Sequence, residues 1–270
     1  MLGSFVRHGL PQRQIEAEVL LQIVAGSDTT ANVVRVVLLY VATNPLVYAR
    51  LQREIDDAVA DGTLPQSPEI VSHATARASL PYLQAVIFEA IRVHPPLFTL
   101  LPKIVPPGGD TFDDDTQPKG SGGYRNIFVP GGTRIAVNPF GMMRHVETFG
   151  EDVEVFRPGR WMDVGSEQRT EMERTVELVF GFGRFMCAGK TVAFMELNKI
   201  FVEVSVTPYG SMPWSREVGA FAPDANRSAT KQLLRDFNFQ VINPKEPWVA
   251  LHYHLFQITD MWMRVTPRSK

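Results

Sequence analysis

The chain is short of cysteine: it has one, Cys187, in 270 residues. No intramolecular disulfide can form, which excludes a small secreted scaffold held by such bridges. It also lacks a surplus of either charge, since 27 Lys and Arg stand against 29 Asp and Glu, a formal net charge of −2. A nucleic-acid partner requires a clustered basic face, so no nucleic acid is expected. No run of about 18 apolar residues is present to cross a bilayer, and the opening MLGSFVRHGLPQRQ has no stretch of signal-peptide type. The six histidines show no HxxH spacing; His252 and His254 alternate onto one strand face, as surface or pocket-lining groups rather than metal ligands. What the chain does have is enough apolar material for a core, at 44% hydrophobic residues. It has 20 Gly and 20 Pro, gathered in the middle and last third, which marks those parts as rich in loops.

Residues 12–43 read as one long helix, roughly 45 Å at a rise of about 1.5 Å per residue. From Ile15 it is apolar on nearly every side, the pattern of a helix in the middle of a protein. Its centre, Ala25-Gly26-Ser27-Asp28-Thr29-Thr30, is weak in helix propensity and rich in side chains that bond backbone groups. Asn44-Pro45 caps a second, amphipathic helix over about 45–61, ended by Gly62. A short helical piece is expected near 69–75, and a third helix over about 80–93, stopped by His94-Pro95-Pro96. Residues 97–140 read as strands and turns, with 106–125 a loop, 129–133 a turn and 134–137 a strand. Periodicity is scarce from 144 to 177. A further helix is expected over 190–203, with strands over 237–241 and 255–265.

Cys187 lies in Phe180-Gly181-Phe182-Gly183-Arg184-Phe185-Met186-Cys187-Ala188-Gly189. A single cysteine is ordinarily a buried hydrophobic thiol. Here glycines and aromatics surround it and a helix begins directly after it. Its sulfur then meets the free N–H groups and positive end of that helix, a setting that favours thiolate, and glycine lets a flat group approach the backbone. Glu89 and Arg92, at i and i+3 on the third helix, can pair; an isolated pair of this kind is usually a solvated surface contact.

The segment around Cys187 resembles the haem-binding loop of the cytochrome P-450 superfamily, with Phe180, Gly183, Cys187 and Gly189 in the family's positions. The resemblance implies haem b as cofactor, with Cys187 as the thiolate ligand of iron. The family commonly has Arg two residues before the cysteine, where it meets a haem propionate. Phe185 stands there in this chain, and the adjacent Arg184 is the replacement. AGSDTT (25–30) resembles the family's oxygen-activation segment and implies Asp28 and Thr29 as an acid–alcohol pair that relays protons. Glu89-Ala90-Ile91-Arg92 resembles the ExxR signature. Phe156-Arg157-Pro158-Gly159-Arg160-Trp161 resembles the later Arg segment and implies a buried triad of Glu89, Arg92 and Arg160. Arg144, His145 and Lys103 lie where family members place groups near haem propionates. Residues 255–259 fall at a substrate-lining hairpin.

The resemblance implies a mainly α fold with a small β portion: a partial cytochrome P-450 fold from the long central helix to the C-terminal hairpin. Residues 1–270 are then the C-terminal part of a single domain of a fungal microsomal-type member, with the N-terminal half absent. The implied activity is insertion of one oxygen atom of O2 into a small apolar organic substrate, with electrons from NADPH through a separate cytochrome reductase. The full-length parent is expected at the endoplasmic reticulum membrane. The alternatives are an isomerase or dehydratase on the same haem-thiolate scaffold, or a truncated, non-catalytic remnant. Residues 204–232 interrupt the family-like run from IFVE to LLRDFNFQVINP and read as an insertion, a retained intron translated in frame.

Overall fold

The computed structural model describes residues 2–65, 70–97, 99–112, 126–203, 233–252 and 256–268. Residues 204–232, read as an insertion, lie outside the described residues, as do His254, Leu255 and most of the 106–125 segment. The helices in chain order are α1 (Leu2–Arg7), α2 (Gln12–Thr43), α3 (Pro45–Ala60), α4 (His73–Ser79), α5 (Pro81–Val93), α6 (Pro139–Met142), α7 (Val146–Phe149), α8 (Ser166–Glu177), α9 (Lys190–Glu203) and α10 (Leu233–Asp236). The strands are β1 (Lys103–Ile104), β2 (Asp110–Phe112), β3 (Ile127–Val129), β4 (Arg134–Ile135), β5 (Phe237–Val241), β6 (Val249–His252), β7 (Phe256–Thr259) and β8 (Met263–Pro267). Among the described residues these strands form four antiparallel pairs, β1–β4, β2–β3, β5–β8 and β6–β7.

α2 runs unbroken through the weak AGSDTT stretch. Ser27 and Thr29 turn their hydroxyls back onto the carbonyls of Ile23 and Ala25, both at 2.8 Å, and so leave the helical ladder intact. The chain then bends by 110° into α3. Asn44 makes the corner: its side-chain oxygen accepts from the Val47 N–H at 3.3 Å, and Pro45 occupies the first helical position.

The expectation that α2 is buried along its whole length holds only for its second half. Asn32, Val33, Val36, Val37, Leu39 and Val41 are buried. Leu20, Leu21 and Ile23 are each more than 60% exposed. Among the described elements α5, α9, α3, β5, β7 and the short α1 pack against α2.

α5 is the centre of the core. All its residues from Tyr82 to Val93 are buried except Gln84. It packs against α2, α3, α8, α9 and the 3-10 turn Pro158–Trp161. A helix covered on all sides must have its end N–H groups satisfied by other elements. Glu54 of α3 supplies that, accepting from the Tyr82 and Leu83 N–H groups at 2.7 and 2.9 Å. Burial raises the Glu54 carboxyl above the usual range, against the opposing effect of these two bonds.

Several elements differ from the sequence reading, among them the following. The short fourth helix begins later, at His73, capped by the Ser72 hydroxyl on the Thr75 N–H. Residues 110–112, expected as loop, are strand β2 paired with β3 across Thr111↔Phe128. The stretch thought to lack periodicity holds α8, whose only buried residues are Met172 and Val176. Two apolar side chains four apart on an otherwise charged helix give too narrow a stripe to register as a pattern. Glu54→Ala leaves two N–H groups at the head of α5 without an acceptor. It is expected to lower stability by about 1–2 kcal/mol, measured as a fall in the urea midpoint, with Glu54→Gln losing less.

Candidate functional site

Three side chains named from sequence come together at the foot of α5. Arg92 makes a bidentate pair with Glu89, both legs at 2.9 Å. Arg160 donates from Nε to Glu89 Oε1 at 3.0 Å. All three are fully buried. Two further donors close on the same carboxylate: the Arg157 backbone N–H at 2.8 Å and Trp161 Nε1 at 2.9 Å. A buried charge is tolerated when paired and hydrogen-bonded on every side. Five donors on Glu89 meet that condition, and the remaining guanidinium nitrogens are used as well. Arg92 donates to the carbonyls of Met143, Val153 and Val155. Arg160 donates to the carbonyls of Phe149, Asp152 and Val155.

Asp152 completes the cluster from its outer side, bridging Arg160 and Arg157. Hydrogen bonding from Arg157 and Arg160 holds its carboxyl down at about 2. Asp152 and Trp161 were not singled out from sequence. Trp161 carried a signal, since a tryptophan directly after a buried arginine needs a partner for its N–H. Asp152 carried none: it sits eight residues before Arg160 in a segment without regular period.

The thiol loop is built between α8 and α9. Lys190 opens α9 and pairs with Glu177 at the end of α8 at 2.7 Å, pinning the loop's two ends together. Inside it, the Cys187 N–H donates to the Phe180 carbonyl at 2.7 Å, and residues 183–185 form one 3-10 turn. Gly181 and Gly183 have φ of +78° and +63°, a conformation that side chains disfavour. A Cβ on Gly181 would also press to 3.1 Å from the Phe185 carbonyl oxygen. Cys187 is a free, exposed thiol. Around it Phe182, Phe185 and Met186 are 73, 72 and 52% exposed, an unusual display of large apolar groups. The Arg184 guanidinium and the Lys103 ammonium both lie by the Phe185 ring, at 5.7 and 5.8 Å. Neither pairs with a carboxylate among the described residues.

An aromatic chain connects the two constellations. Trp161 packs on Phe88 with ring centroids 5.3 Å apart, Phe88 on Phe194 of α9 at 5.5 Å, and Phe194 on Phe180 at 5.4 Å. The Glu89 cluster is thereby in packing continuity with the residue whose carbonyl holds Cys187.

Asp28 and Thr29 occupy the middle of α2, Asp28 exposed and Thr29 half-buried. Neighbours in sequence do not face each other on a helix, and the Thr29 hydroxyl donates to its own preceding turn. The structure places the pair side by side without a bond between their side chains. Arg144 is committed elsewhere than to the thiol loop, pairing with Glu154 at 2.9 Å and lying over the Phe140 ring. His145 bonds the Thr148 hydroxyl and Glu147.

The sequence of this chain matches a known family. The family model for cytochrome P450 matches residues 6–204. The chain belongs to the cytochrome P450 family. It is 44% identical over 268 residues to a cytochrome P450 monooxygenase, ABA1, of Pyricularia oryzae, covering 99% of this chain and 44% of that one. It is 41% identical over 266 residues to the aba1 monooxygenase of Botryotinia fuckeliana, covering 98% of this chain and 43% of the relative. A crystal structure of a cytochrome P450, CYP102L1, superposes with a TM-score of 0.60 at 22% identity, over 96% of this chain and 46% of the other, a likeness of fold. The chain thus spans less than half the length of these P450 relatives. The fold is mainly α with small sheets, as expected for part of a P450. The family cofactor is haem b held through a cysteine thiolate. The donor set fits that group: one exposed thiol, exposed apolar side chains beside it, and two cations with no carboxylate partner among the described residues.

Asp152 contributes stability while ionised, and its folded-state carboxyl lies below its unfolded value of 3.8. That contribution is complete above the unfolded value and is lost as pH falls from there towards about 2. Asp152→Asn is expected to flatten the acid limb of the unfolding profile across that window while leaving the neutral-to-alkaline slope unchanged, as read by thermal melts at each pH.

Proposed function

We propose that this chain carries the thiolate-bearing and proton-handling part of a haem-dependent monooxygenase, with Cys187 as the ligand to iron. The observation that carries the reading is the exposed Cys187 thiol, held at the mouth of a glycine loop where α9 begins. The 14-residue helix α9 begins three residues after Cys187, at Lys190. Phe180, Gly183 and Gly189 shape the loop, and Arg184 with Lys103 supplies positive charge beside its aromatic rim. When bound, thiolate-ligated haem supplies the redox centre at which dioxygen is activated.

The remaining roles fall to this chain's own groups. Asp28, open to solvent, takes protons from water. Thr29 gives its own hydroxyl proton to the Ala25 carbonyl and so offers its oxygen as an acceptor, fixing a donor in place on the helix face. Transfer from one to the other runs through intervening water, because their side chains diverge. The Glu89, Arg92 and Arg160 cluster is structural in this reading. It fixes α5 and, through the aromatic chain, the thiol loop. The exposed apolar turns of α2 suit a small apolar organic substrate or the packing that encloses one. The electron source is NADPH through a separate cytochrome reductase, and the site of action is the endoplasmic reticulum membrane. Among the described residues no single helix is long and apolar enough to cross a membrane.

Haem titration of the purified protein, read as the carbon monoxide difference spectrum of the reduced form, tests the ligand. The expected result is a thiolate-type band that Cys187→Ala abolishes; identical spectra for the two proteins contradict the assignment. Turnover under labelled dioxygen then separates oxygen insertion, with one labelled atom in product, from an isomerase or dehydratase, with none.

A further inference from the structure

Asn32 is 1% exposed, and among the described residues neither atom of its side-chain amide has a hydrogen-bond partner. A buried amide left unpaired costs stability, and native proteins keep few of them. Its neighbours along the buried stripe of α2 are Val33, Val36 and Val37, all apolar and buried. Packing alone would be served better there by leucine. The position itself supplies a reason. Asn32 stands three residues after Thr29 and four after Asp28, the two spacings at which helical side chains are neighbours. It therefore flanks both members of a pair that do not face each other. The hydroxyls of Ser27 and Thr29 are spent as donors on the preceding turn, while among the described residues the Asn32 amide keeps both its donor and its acceptor uncommitted. Side chains at this spacing have Cβ atoms about 5–6 Å apart, close enough for their polar ends to share one water.

We propose that Asn32 is a positioning residue: its amide anchors an ordered water against the Thr29 hydroxyl, joining the exposed Asp28 carboxylate to the buried face of α2. The inference rests on the proton-delivery role proposed above for Asp28 and Thr29, and its direct readout does not depend on that role. The water needs at least two polar partners, and Asn32 Oδ1, Asn32 Nδ2 and the Thr29 oxygen lone pairs provide them. The arrangement puts a donor where the helix face would otherwise be aliphatic, at the expense of an ideal apolar stripe.

High-resolution crystallography of the protein and of Asn32→Leu is the direct test. A water within hydrogen-bond distance of both Asn32 and Thr29 Oγ1 is expected in the parent and missing from the variant; no such water in the parent overturns the proposal. In the haem-loaded enzyme, Asn32→Leu is expected to lower product formed per reducing equivalent by about tenfold and to raise the solvent isotope effect, with Asn32→Ser restoring both in part. Unchanged coupling and isotope effect, with the water seen in the parent, overturn the positioning role. Failure of the parent to bind haem or oxygenate would instead remove the functional reading, and the crystallographic result would still decide whether Asn32 holds water. Loss of folded Asn32→Leu protein would assign the amide a structural partner and so count against the proposal; Asn32→Ser then carries the coupling measurement.

Discussion

The structure depends on one buried carboxylate. Glu89 sits near the C-terminal end of α5, the helix that most of the core packs around, and a lone charge there would be intolerable. It is stable because five donors meet it: three from two guanidiniums, one from the Trp161 indole and one from the Arg157 backbone. Those donors come from α5 and from residues 157–161, so the charge can be satisfied only when distant parts of the chain are in register. The surplus guanidinium nitrogens extend the same requirement to the carbonyls of 143–155. A long stretch with little regular structure is thereby ordered by polar bonds rather than by secondary structure. Such a network is weak evidence for net stability and a strong constraint on which arrangement forms.

That constraint reaches the thiol loop through packed rings. Trp161, Phe88, Phe194 and Phe180 touch in sequence, and the Phe180 carbonyl holds the Cys187 N–H. Glycines at positive φ give the loop its shape, and the Lys190–Glu177 pair closes its ends. The loop carries three large apolar groups in solvent, yet its backbone is tied at both ends to buried elements. Order in the backbone with exposure of the side chains is what a flat, apolar cofactor with a sulfur ligand requires.

Much of this was legible in the sequence, and the boundary of legibility has physical causes. α2, α3, α5, α9 and β5 were readable because their apolar spacing, caps and stops are local: Asn44-Pro45 and His94-Pro95-Pro96 act within a few residues of themselves. The loop glycines and Cys187 were readable as a motif, and Glu89 and Arg92 as an i, i+3 pair. α8 was not, because two buried residues make no stripe. β2 was not, because its partner β3 lies on the far side of residues 113–126 and pairing is non-local. Asp152, and the part played by Trp161, follow from tertiary closure, which no local pattern encodes. The exposed half of α2 shows the converse: its residues state that they should be covered, and the described elements do not cover them.

The claim that the Glu89 cluster holds the Cys187 backbone through the aromatic chain is tested most directly by hydrogen exchange. Trp161→Phe keeps an aromatic ring in the packed chain and removes the pyrrole part of the indole with the N–H that Glu89 accepts. The account predicts faster exchange at the Cys187 amide in the variant, with the Leu51 amide in α3 protected as before. Unchanged exchange at Cys187, or an equal loss at both amides, would contradict it.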